Sequence, residues 1–222
     1  MAISTAFTQW LVDEKILQSG GIFVTGTDTG AGKTWIGARF IAGLRALGQT
    51  VIPRKPVESG WNNAHYTQTD TWQLAQAADC AWETVCPNRL FAPLSPARAA
   101  QLEGKTLHIA TLTQQCRENV TAGQFLLVEG AGGFYSPLTQ DGLNADLAVT
   151  LGLPVLLVAE DRVGCINHIL LVVEAAQRRG LRLAGIVLNR RHPAPAGMDN
   201  PADLGQWLTL PILTADTFAD LL

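Results

Sequence analysis

A lysine and a hydroxyl residue follow a glycine-rich turn in the stretch GIFVTGTDTGAGKTWIGARF, residues 21–40. The backbone N–H groups of such a turn can bind phosphate oxygens, because glycine has no Cβ to prevent the inward orientation. The lysine then contacts the β- and γ-phosphates, and the hydroxyl binds Mg²⁺. Gly30, Gly32, Lys33 and Thr34 supply these groups. The sequence therefore predicts a nucleotide phosphate site.

The spacing of this loop departs from the common pattern, which places four residues between the first glycine and the Gly-Lys-Thr end. Here five residues separate Gly26 from Gly32, and Thr27 stands where the first glycine is expected. An ordinary strand–turn–helix with a chance Gly-Lys-Thr is the alternative interpretation. The buried strand expected before the loop and the helix expected after it favour the phosphate site.

Mg²⁺ at such a loop needs carboxylates from elsewhere in the chain. Glu129 follows the apolar run FLLV and precedes Gly-Ala-Gly-Gly, at the edge where open α/β sheets bind ligands. Asp161, after VLLVAE, is a rival without neighbouring glycines. Asp70 begins a helical pattern, so it is either a metal ligand or an N-cap. Lys55 ends a strand in RKPVESG, where it is either a solvated charge or faces a negative ligand.

The elements that must position these residues alternate along the chain. Strands are predicted at residues 21–26, 50–57, 124–133, 153–161 and 181–190, and helices at 33–47, 69–78 and 166–180. The strands are apolar throughout, which is typical of parallel sheets covered on both faces. We therefore predict an α/β fold, with a single doubly wound, mostly parallel sheet, helices on both faces and a P-loop NTPase-like organisation.

The first 20 residues are predicted to form a helical extension to a domain that spans residues 21–222. Phe7, Trp10, Leu11 and Leu17 have near-helical spacing and would form one apolar stripe. We expect this stripe to pack on the domain or on a partner subunit, away from the chemistry.

The composition argues against several classes of protein. The 222 residues are 47% hydrophobic and 16% charged, which is typical of a folded globular chain. The net charge is −3, with scattered lysines and arginines, so no nucleic-acid partner is expected. Four cysteines without a C-x-x-C pair indicate neither a metal cluster nor a secreted disulfide framework. Without a long apolar run or signal-peptide features, no membrane association is expected, and the predicted location is the cytoplasm.

Taken together, these residues resemble dethiobiotin synthetase, a family of ATP-dependent ligases of biotin synthesis. The matching stretches follow the family's order over about residues 22–189: FVTGTDTGAGKT, KPVESG, TDTWQLA, APLSPARAA, LLVEGAGGFYSPL, GCINHILL and AGIVLN. The family's loop, G-T-D-T-x-x-G-K-T, has the same five-residue gap. The unusual spacing is therefore the family's own.

The resemblance implies a reaction in which CO2 and 7,8-diaminononanoate form a cyclic urea at the expense of ATP, with Mg²⁺ as cofactor. It implies catalytic roles for Lys33 and Lys55, and metal ligation by Thr34, Asp70 and Glu129. The residues that it implies for ATP binding are Gly30, Ala31, Gly32, Lys33, Thr34, Trp35, Asp70, Glu129, Gly130, Ala131, Gly132, Asn189 and Pro211.

The same resemblance implies a homodimer with active sites at its interface. The residues that it implies for substrate binding are Thr29, Lys55, Ser59, Gly164, Cys165, Ile166 and Asn167, the last four reaching the site from the neighbouring subunit. Residues 1–20 extend beyond the family's typical start, the last thirty residues match it weakly, and three further features depart from the family's pattern. Ala97 stands where histidine is common, Arg190 where an acidic residue is frequent, and the turn AEDRV at 159–163 is unusually charged.

Three alternatives to this function are a related ligase, a non-enzymatic nucleotide-binding module and an ATPase of another type. Another ATP-dependent P-loop ligase of the same superfamily, such as a cobyrinate amide synthase, would need a glutaminase domain for which 222 residues leave no room. A regulatory nucleotide-binding module would have no use for a second lysine site, which Lys55 with Ser59 would form. A partitioning-type ATPase would need switch motifs, and an iron-protein-type ATPase would need cysteines for a cluster. Neither feature is visible in this sequence.

Overall fold

The computed structural model describes residues 4–221, and a six-stranded, wholly parallel sheet lies at its centre. Its strands occur in the order β2-β5-β1-β6-β7-β8, and β3 and β4 form a separate parallel pair. The eight strands are β1 (Gly21–Gly26), β2 (Val51–Arg54), β3 (Val57–Ser59), β4 (Asn88–Leu90), β5 (Phe125–Glu129), β6 (Val155–Glu160), β7 (Leu183–Asn189) and β8 (Ile212–Thr214).

The connections between the strands contain eight α-helices within the described residues. They are α1 (Thr5–Asp13), α2 (Lys33–Ala46), α3 (Asp70–Ala78), α4 (Pro96–Leu102), α5 (Ile109–Arg117), α6 (Asn144–Leu151), α7 (Cys165–Arg178) and α8 (Asn200–Gly205). Short 3₁₀ segments lie at Leu17–Ser19, Asn63–Gln68, Trp82–Thr84 and Ala215–Leu221. None of the helices described has the length and apolar character that crossing a bilayer requires.

The central sheet is buried on both faces, because successive side chains of a strand point to opposite sides. In β1, Ile22 and Val24 pack with helices α1, α2 and α3 on one face. Phe23 points the other way, into a core formed with α4 to α8. These two layers confirm the predicted doubly wound α/β fold.

The predicted strand at residues 50–57 was wrong in one respect, because two strands occupy this stretch. β2 ends at Arg54, and β3 begins at Val57 in the other sheet. Pro56 lacks a backbone N–H, and the N–H of Lys55 donates to the carbonyl of Val85, 2.8 Å away, outside the central sheet. The break therefore places Lys55 at the carboxyl edge of the sheet.

The N-terminal helix packs directly on the sheet layer. Phe7 is fully buried and makes edge-to-face contacts with Phe40 and Phe218, with ring centroids 5.7 and 5.6 Å apart. The indole N–H of Trp10 donates to the carbonyl of Ala184, 2.8 Å away in β7. Leu17, which we placed on the apolar stripe, is 39% exposed, and Ile16 is buried in its place. The bend after α1 turns the chain so that residue 16 faces the core.

This packing predicts that α1 stabilises the fold. Trp10→Ala removes a buried ring and leaves the Ala184 carbonyl without its donor, so we expect unfolding to become easier by ~3–5 kcal/mol. Val12→Ala is the control, because Val12 lies on the same helix but is 71% exposed; it should change stability by less than ~0.5 kcal/mol. Urea unfolding followed by circular dichroism measures both. Equal effects of the two substitutions would show that α1 is not part of the core.

Candidate active site at the carboxyl edge of the sheet

The phosphate-type loop joins β1 to α2, as the sequence predicted. Lys33 is buried at the first position of α2, and its ammonium donates to the carbonyl of Asp28, 3.0 Å away. Gly32 has φ of 96°, and a Cβ at this position would lie 1.9 Å from the Asn189 side chain. The Asn189 amide in turn donates to the carbonyl of Ala31, at 3.0 Å. Only glycine at position 32 therefore allows β7 to contact the loop this closely.

A buried cluster of charged and polar side chains lies beneath the loop. Lys55 donates to Glu129 at 2.5 Å and to Asp70 at 2.6 Å. The hydroxyl of Thr34 donates to the same Glu129 oxygen at 2.9 Å. Lys55 is 3% exposed and Glu129 is fully buried, so these two groups compensate each other's charge where water cannot, while Asp70 makes a second ion pair with the same ammonium. Lys55 thus faces negative charge and is not a solvated lysine.

Burial and mutual charge shift the pKa values of this cluster in different directions. Burial by itself lowers the pKa of Lys55, but the charges of Asp70, Glu129 and Glu58 outweigh it and raise the pKa above its ordinary value. For the Asp70 carboxyl, burial by itself would raise the pKa, but the charge of Lys55 holds that pKa below its ordinary value. Burial raises the pKa of Glu129, and the charge of Lys55 opposes that shift. Burial, followed by repulsion from Lys55, lowers the pKa of Lys33. Lys55 therefore stays protonated at neutral pH.

The N-cap of α3 is Thr69 and not Asp70, which resolves an alternative left open by the sequence. The Thr69 hydroxyl accepts a hydrogen bond from the N–H of Trp72 at 3.2 Å. The Asp70 side chain is instead bonded to Lys55, and it is 41% exposed at the cavity wall. Asp70 is therefore free of a capping role and available to the site.

The oxygen atoms of this cluster have the chemistry that Mg²⁺ requires. Glu129 Oε2 is buried and has no hydrogen-bond partner among residues 4–221, although its other oxygen accepts from Thr34 and Lys55. Mg²⁺ takes hard oxygen ligands, usually one or two carboxylates with waters and phosphate oxygens. Within the described part of the chain, no three His, Cys, Asp or Glu residues are grouped closely enough to hold a metal without such additional ligands. One hydroxyl and two carboxylates fit a Mg²⁺ ion shared with a nucleotide.

Two adjoining cavities meet at Lys55 and Asp70. The larger, of about 650 Å³, runs from the loop past Asn189 to Asp216. The smaller, of about 440 Å³, lies on the other side of Lys55 and reaches Ser59. The larger cavity suits a nucleotide by its loop, and the smaller one, lined by serines, charged groups and the apolar Pro93, Leu94 and Pro96, suits a substrate with both polar and apolar parts. A group transferred between two molecules bound in these cavities would pass Lys55.

Most of the residues predicted for the site line these cavities. The larger cavity is lined by Thr29, Gly30, Gly32, Lys33, Thr34, Trp35, Lys55, Asp70, Gly132 and Asn189. The smaller is lined by Thr29, Lys55, Ser59, Asp70, Ala131 and Gly132. Three further predicted residues lie directly behind the cavity walls: Ala31, Glu129 and Gly130. Ala31 and Glu129 accept the hydrogen bonds described above, and the N–H of Gly130 donates to the carbonyl of Val24 at 3.0 Å.

Five predicted residues lie outside both cavities of this chain. Pro211, which the resemblance implies for ATP binding, precedes β8 and does not line the larger cavity; its carbonyl accepts from the N–H of Ile186 at 2.9 Å. Residues Ala215, Asp216 and Ala219 line that end of the larger cavity instead. Gly164, Cys165, Ile166 and Asn167 form the start of α7, with Cys165 buried and Asn167 exposed.

One contact to the loop and one carboxylate at the smaller cavity were not predicted from the sequence. Arg191 donates to the carbonyl of Gly30 at 2.8 Å, which ties the segment after β7 to the phosphate loop. Glu58 lies beside Ser59 and is buried. The signal for Arg191 was its place just beyond a strand's carboxyl end, where ligand-binding residues of α/β sheets occur.

Asp161, the rival of Glu129, belongs to a separate ion pair. It is buried and accepts from Arg190 at 2.8 and 2.5 Å and from the side-chain amide of Asn200 at 2.7 Å. Asp161 belongs to the charged turn at 159–163, and Arg190 is another departure from the family's pattern. These two departures therefore form an ion pair with each other. The structure thereby explains why an arginine follows Asn189 in this chain.

We expect Asp161 and Arg190 to be coupled energetically. Removing one partner of a buried pair leaves an uncompensated charge, although the 47% exposure of the Arg190 side chain reduces the effect. A double-mutant cycle with Asp161→Asn and Arg190→Ala should give a coupling energy of ~1–2 kcal/mol in urea unfolding. The exposed pair Glu174–Arg178 on α7 is the matched control, with ~0.3–0.5 kcal/mol expected. A coupling no larger than the control would contradict this role.

Comparison with known proteins supports the resemblance seen in the sequence. A family model described as an AAA domain matches residues 20–215. The ATP-dependent dethiobiotin synthetase BioD of Anaeromyxobacter sp. (strain K) is 44% identical over 190 residues, which cover 84% of each chain. The protein of the same name from Caulobacter vibrioides (strain NA1000 / CB15N) is 42% identical over 178 residues, covering 78% of this chain and 81% of that protein.

Solved structures with this architecture are more distant. The kinase domain of Escherichia coli tyrosine kinase ETK has a TM-score of 0.49 and 13% identity, covering 86% of this chain and 76% of that chain. A similarity at this level says nothing about the chemistry. The sequence identity to the dethiobiotin synthetases extends over most of both chains. The chain therefore belongs to the family of ATP-dependent dethiobiotin synthetases.

Proposed function

We propose that the protein carboxylates and cyclises 7,8-diaminononanoate with CO2, using ATP and Mg²⁺, to give dethiobiotin, ADP and phosphate. Its family membership supports the reaction class. The observation that carries the proposal is the place of Lys55, a buried ammonium at the junction of a phosphate-loop cavity and a second polar cavity. A reaction that joins a nucleotide's phosphate to a second anionic group needs a cation at that junction.

The larger cavity is the proposed ATP site. The N–H groups around Gly30 to Lys33 face the phosphates, with the Lys33 ammonium beside them, and Asn189 lies further along toward the base. Thr34, Asp70 and Glu129 would hold Mg²⁺, which supplies positive charge to the transferring phosphoryl group when it is bound. Phosphoryl transfer asks a protein mainly for position and charge, and this cavity provides both.

The smaller cavity is the proposed site of the diamine. One amine adds to CO2 and loses a proton, giving a carbamate anion that Lys55 orients. A carbamate oxygen then takes the γ-phosphoryl group of ATP, forming a carbamic–phosphoric anhydride and ADP. The second amine attacks the carbonyl carbon, phosphate leaves and the ring closes with loss of a proton. Because its pKa is raised, Lys55 acts here as a fixed cation and not as a base.

We also propose that the active form is a homodimer, in which the start of α7 completes the partner's substrate site. Gly164 to Asn167 line neither cavity of their own chain, which supports a role in binding a substrate carboxylate in another subunit. Val163 and Leu171 of this region are 68% and 57% exposed, and Tyr135 nearby is 51% exposed. Exposed apolar side chains of this size support an interface.

The free thiols and the ATP-dependent chemistry support a location in the cytoplasm.

The decisive experiment is a turnover assay with mass detection of dethiobiotin. ADP release should require the diamine and bicarbonate together, and product should form in step with ADP. ADP release that is independent of the diamine would overturn the proposal in favour of a nucleotide-binding module.

Substitution of Lys55 should separate nucleotide binding from product formation. We expect Lys55→Gln to bind a non-hydrolysable ATP analogue within a few-fold of the wild type at saturating Mg²⁺, and to lose two to three decades in urea formation, as is typical of a preorganised charge. Calorimetry and the turnover assay measure the two effects. Lys105→Gln is the control, because Lys105 is half exposed and pairs with Glu103. Lost analogue binding with surviving product formation would show that Lys55 is assigned to the wrong substrate.

Mixing two inactive variants tests whether the sites are shared. Lys33→Ala damages the ATP side, and Asn167→Asp places a carboxylate against the substrate's own. If each site combines both chains, a mixed dimer holds both lesions in one site and leaves the other whole. Random exchange makes half of the dimers mixed, so activity should return to roughly a quarter of wild type. Demonstrated exchange without recovery would confine the site to one chain.

A further inference from the structure

We propose that Glu58 is a positioning residue that clamps the start of α3 and thereby holds Asp70 against Lys55. This inference rests on the proposed function, since it assigns Glu58 to the same site. Glu58 lies in β3, is 8% exposed and accepts three hydrogen bonds from the start of α3. They come from the N–H of Asp70 at 2.9 Å, the N–H of Thr71 at 3.0 Å and the hydroxyl of Thr71 at 2.5 Å.

The start of α3 needs these acceptors. The first N–H groups of any helix have no partner within the helix, and a negative charge at that end is stabilising. Within residues 4–221 the Thr69 hydroxyl accepts from the N–H of Trp72 and from neither of the two N–H groups before it, so the N–H groups of Asp70 and Thr71 depend on Glu58. The Thr69 hydroxyl and the Glu58 carboxylate together therefore determine the residue at which α3 begins.

Glu58 and Lys55 belong to one short segment that contacts Asp70 twice. The Glu58 carboxylate holds the Asp70 backbone at 2.9 Å, and the Lys55 ammonium holds the Asp70 carboxylate at 2.6 Å. Pro56, between them, has a fixed φ and restricts the segment further. The segment therefore sets the distance between Lys55 and Asp70. The geometry of the pair, and of a metal ion held by Asp70, depends on a residue that touches neither ATP nor Mg²⁺.

Substitution of Glu58 by glutamine keeps its size and changes this contact. The amide can accept with its oxygen, but its NH2 group must then face the backbone N–H of either Asp70 or Thr71, and an N–H cannot accept a hydrogen bond. We expect Glu58→Gln to raise the Mg²⁺ concentration for half-maximal turnover about 10-fold, as is typical when a residue that orients a metal ligand is changed. Saturating Mg²⁺ should return kcat to within about 3-fold of wild type, since the catalytic groups themselves remain.

Thr69→Ala is the matched control, because it removes the other cap of the same helix without touching the Asp70 N–H. It should lower the melting temperature and leave the Mg²⁺ requirement within about 2-fold of wild type. Amide hydrogen exchange by NMR gives a readout besides activity: Glu58→Gln should speed exchange at Asp70 and Thr71, and Thr69→Ala at Trp72. An unchanged Mg²⁺ requirement in Glu58→Gln, or the same change in both variants, would overturn the proposal.

The two parts of this test fail separately. If the wild type makes no dethiobiotin, the proposed function is wrong, and the exchange pattern still decides whether Glu58 clamps the helix. If turnover is normal in the wild type and exchange at Asp70 and Thr71 is unaltered in Glu58→Gln, the clamp is wrong and the function stands.

Discussion

The buried ammonium of Lys55 is the contact on which the arrangement of the site depends. Its partners come from different elements: Asp70 begins α3 and Glu129 ends β5, while Thr34 in the first turn of α2 is bonded to the same Glu129 oxygen. Removing one member of such a cluster leaves a charge without compensation in a place that excludes water, which costs several kcal/mol. The cluster therefore fixes where β2, β5, α2 and α3 lie relative to one another, besides neutralising its own charges.

The parts of the candidate site with local sequence signals could be placed in the fold from the sequence. The loop and Glu129 each follow a continuous apolar strand and are marked by glycines, so their positions at the sheet's edge could be inferred within a few residues. The interpretation of Lys55 and Asp70 stayed open, because their pairing spans 15 residues and a strand break that only the tertiary fold reveals. The sequence indicated one strand at 50–57, since nothing local shows that Lys55 bonds to Val85 instead of continuing the central sheet.

Other features were beyond sequence reasoning for a related reason. Asp161 and Arg190 are 29 residues apart and each looked anomalous alone, and their contact exists only because β6 and β7 are neighbours in the sheet. Helical spacing assigned Leu17 to the apolar stripe, but α1 ends at Asp13, so that spacing no longer applies at residue 17. Pro211 was carried over from a weakly matching segment, and the chain there enters β8 before the cavity is reached. The spacing of apolar residues predicts a helix or a strand, but it does not predict which residues are buried beyond the end of that helix or strand.

The charges in the cluster explain why a divalent ion belongs to the proposed chemistry. Lys33 and Lys55 face the carboxyl groups of Asp70, Glu129 and Glu58, so positive groups do not outnumber negative ones. This pairing makes burial tolerable, but it leaves little positive field to attract a polyphosphate and a carbamate into adjoining cavities. A Mg²⁺ ion held by Thr34 and the carboxylates would make the site net positive. The lysines then orient the two anions, and the metal supplies the charge that lets them approach.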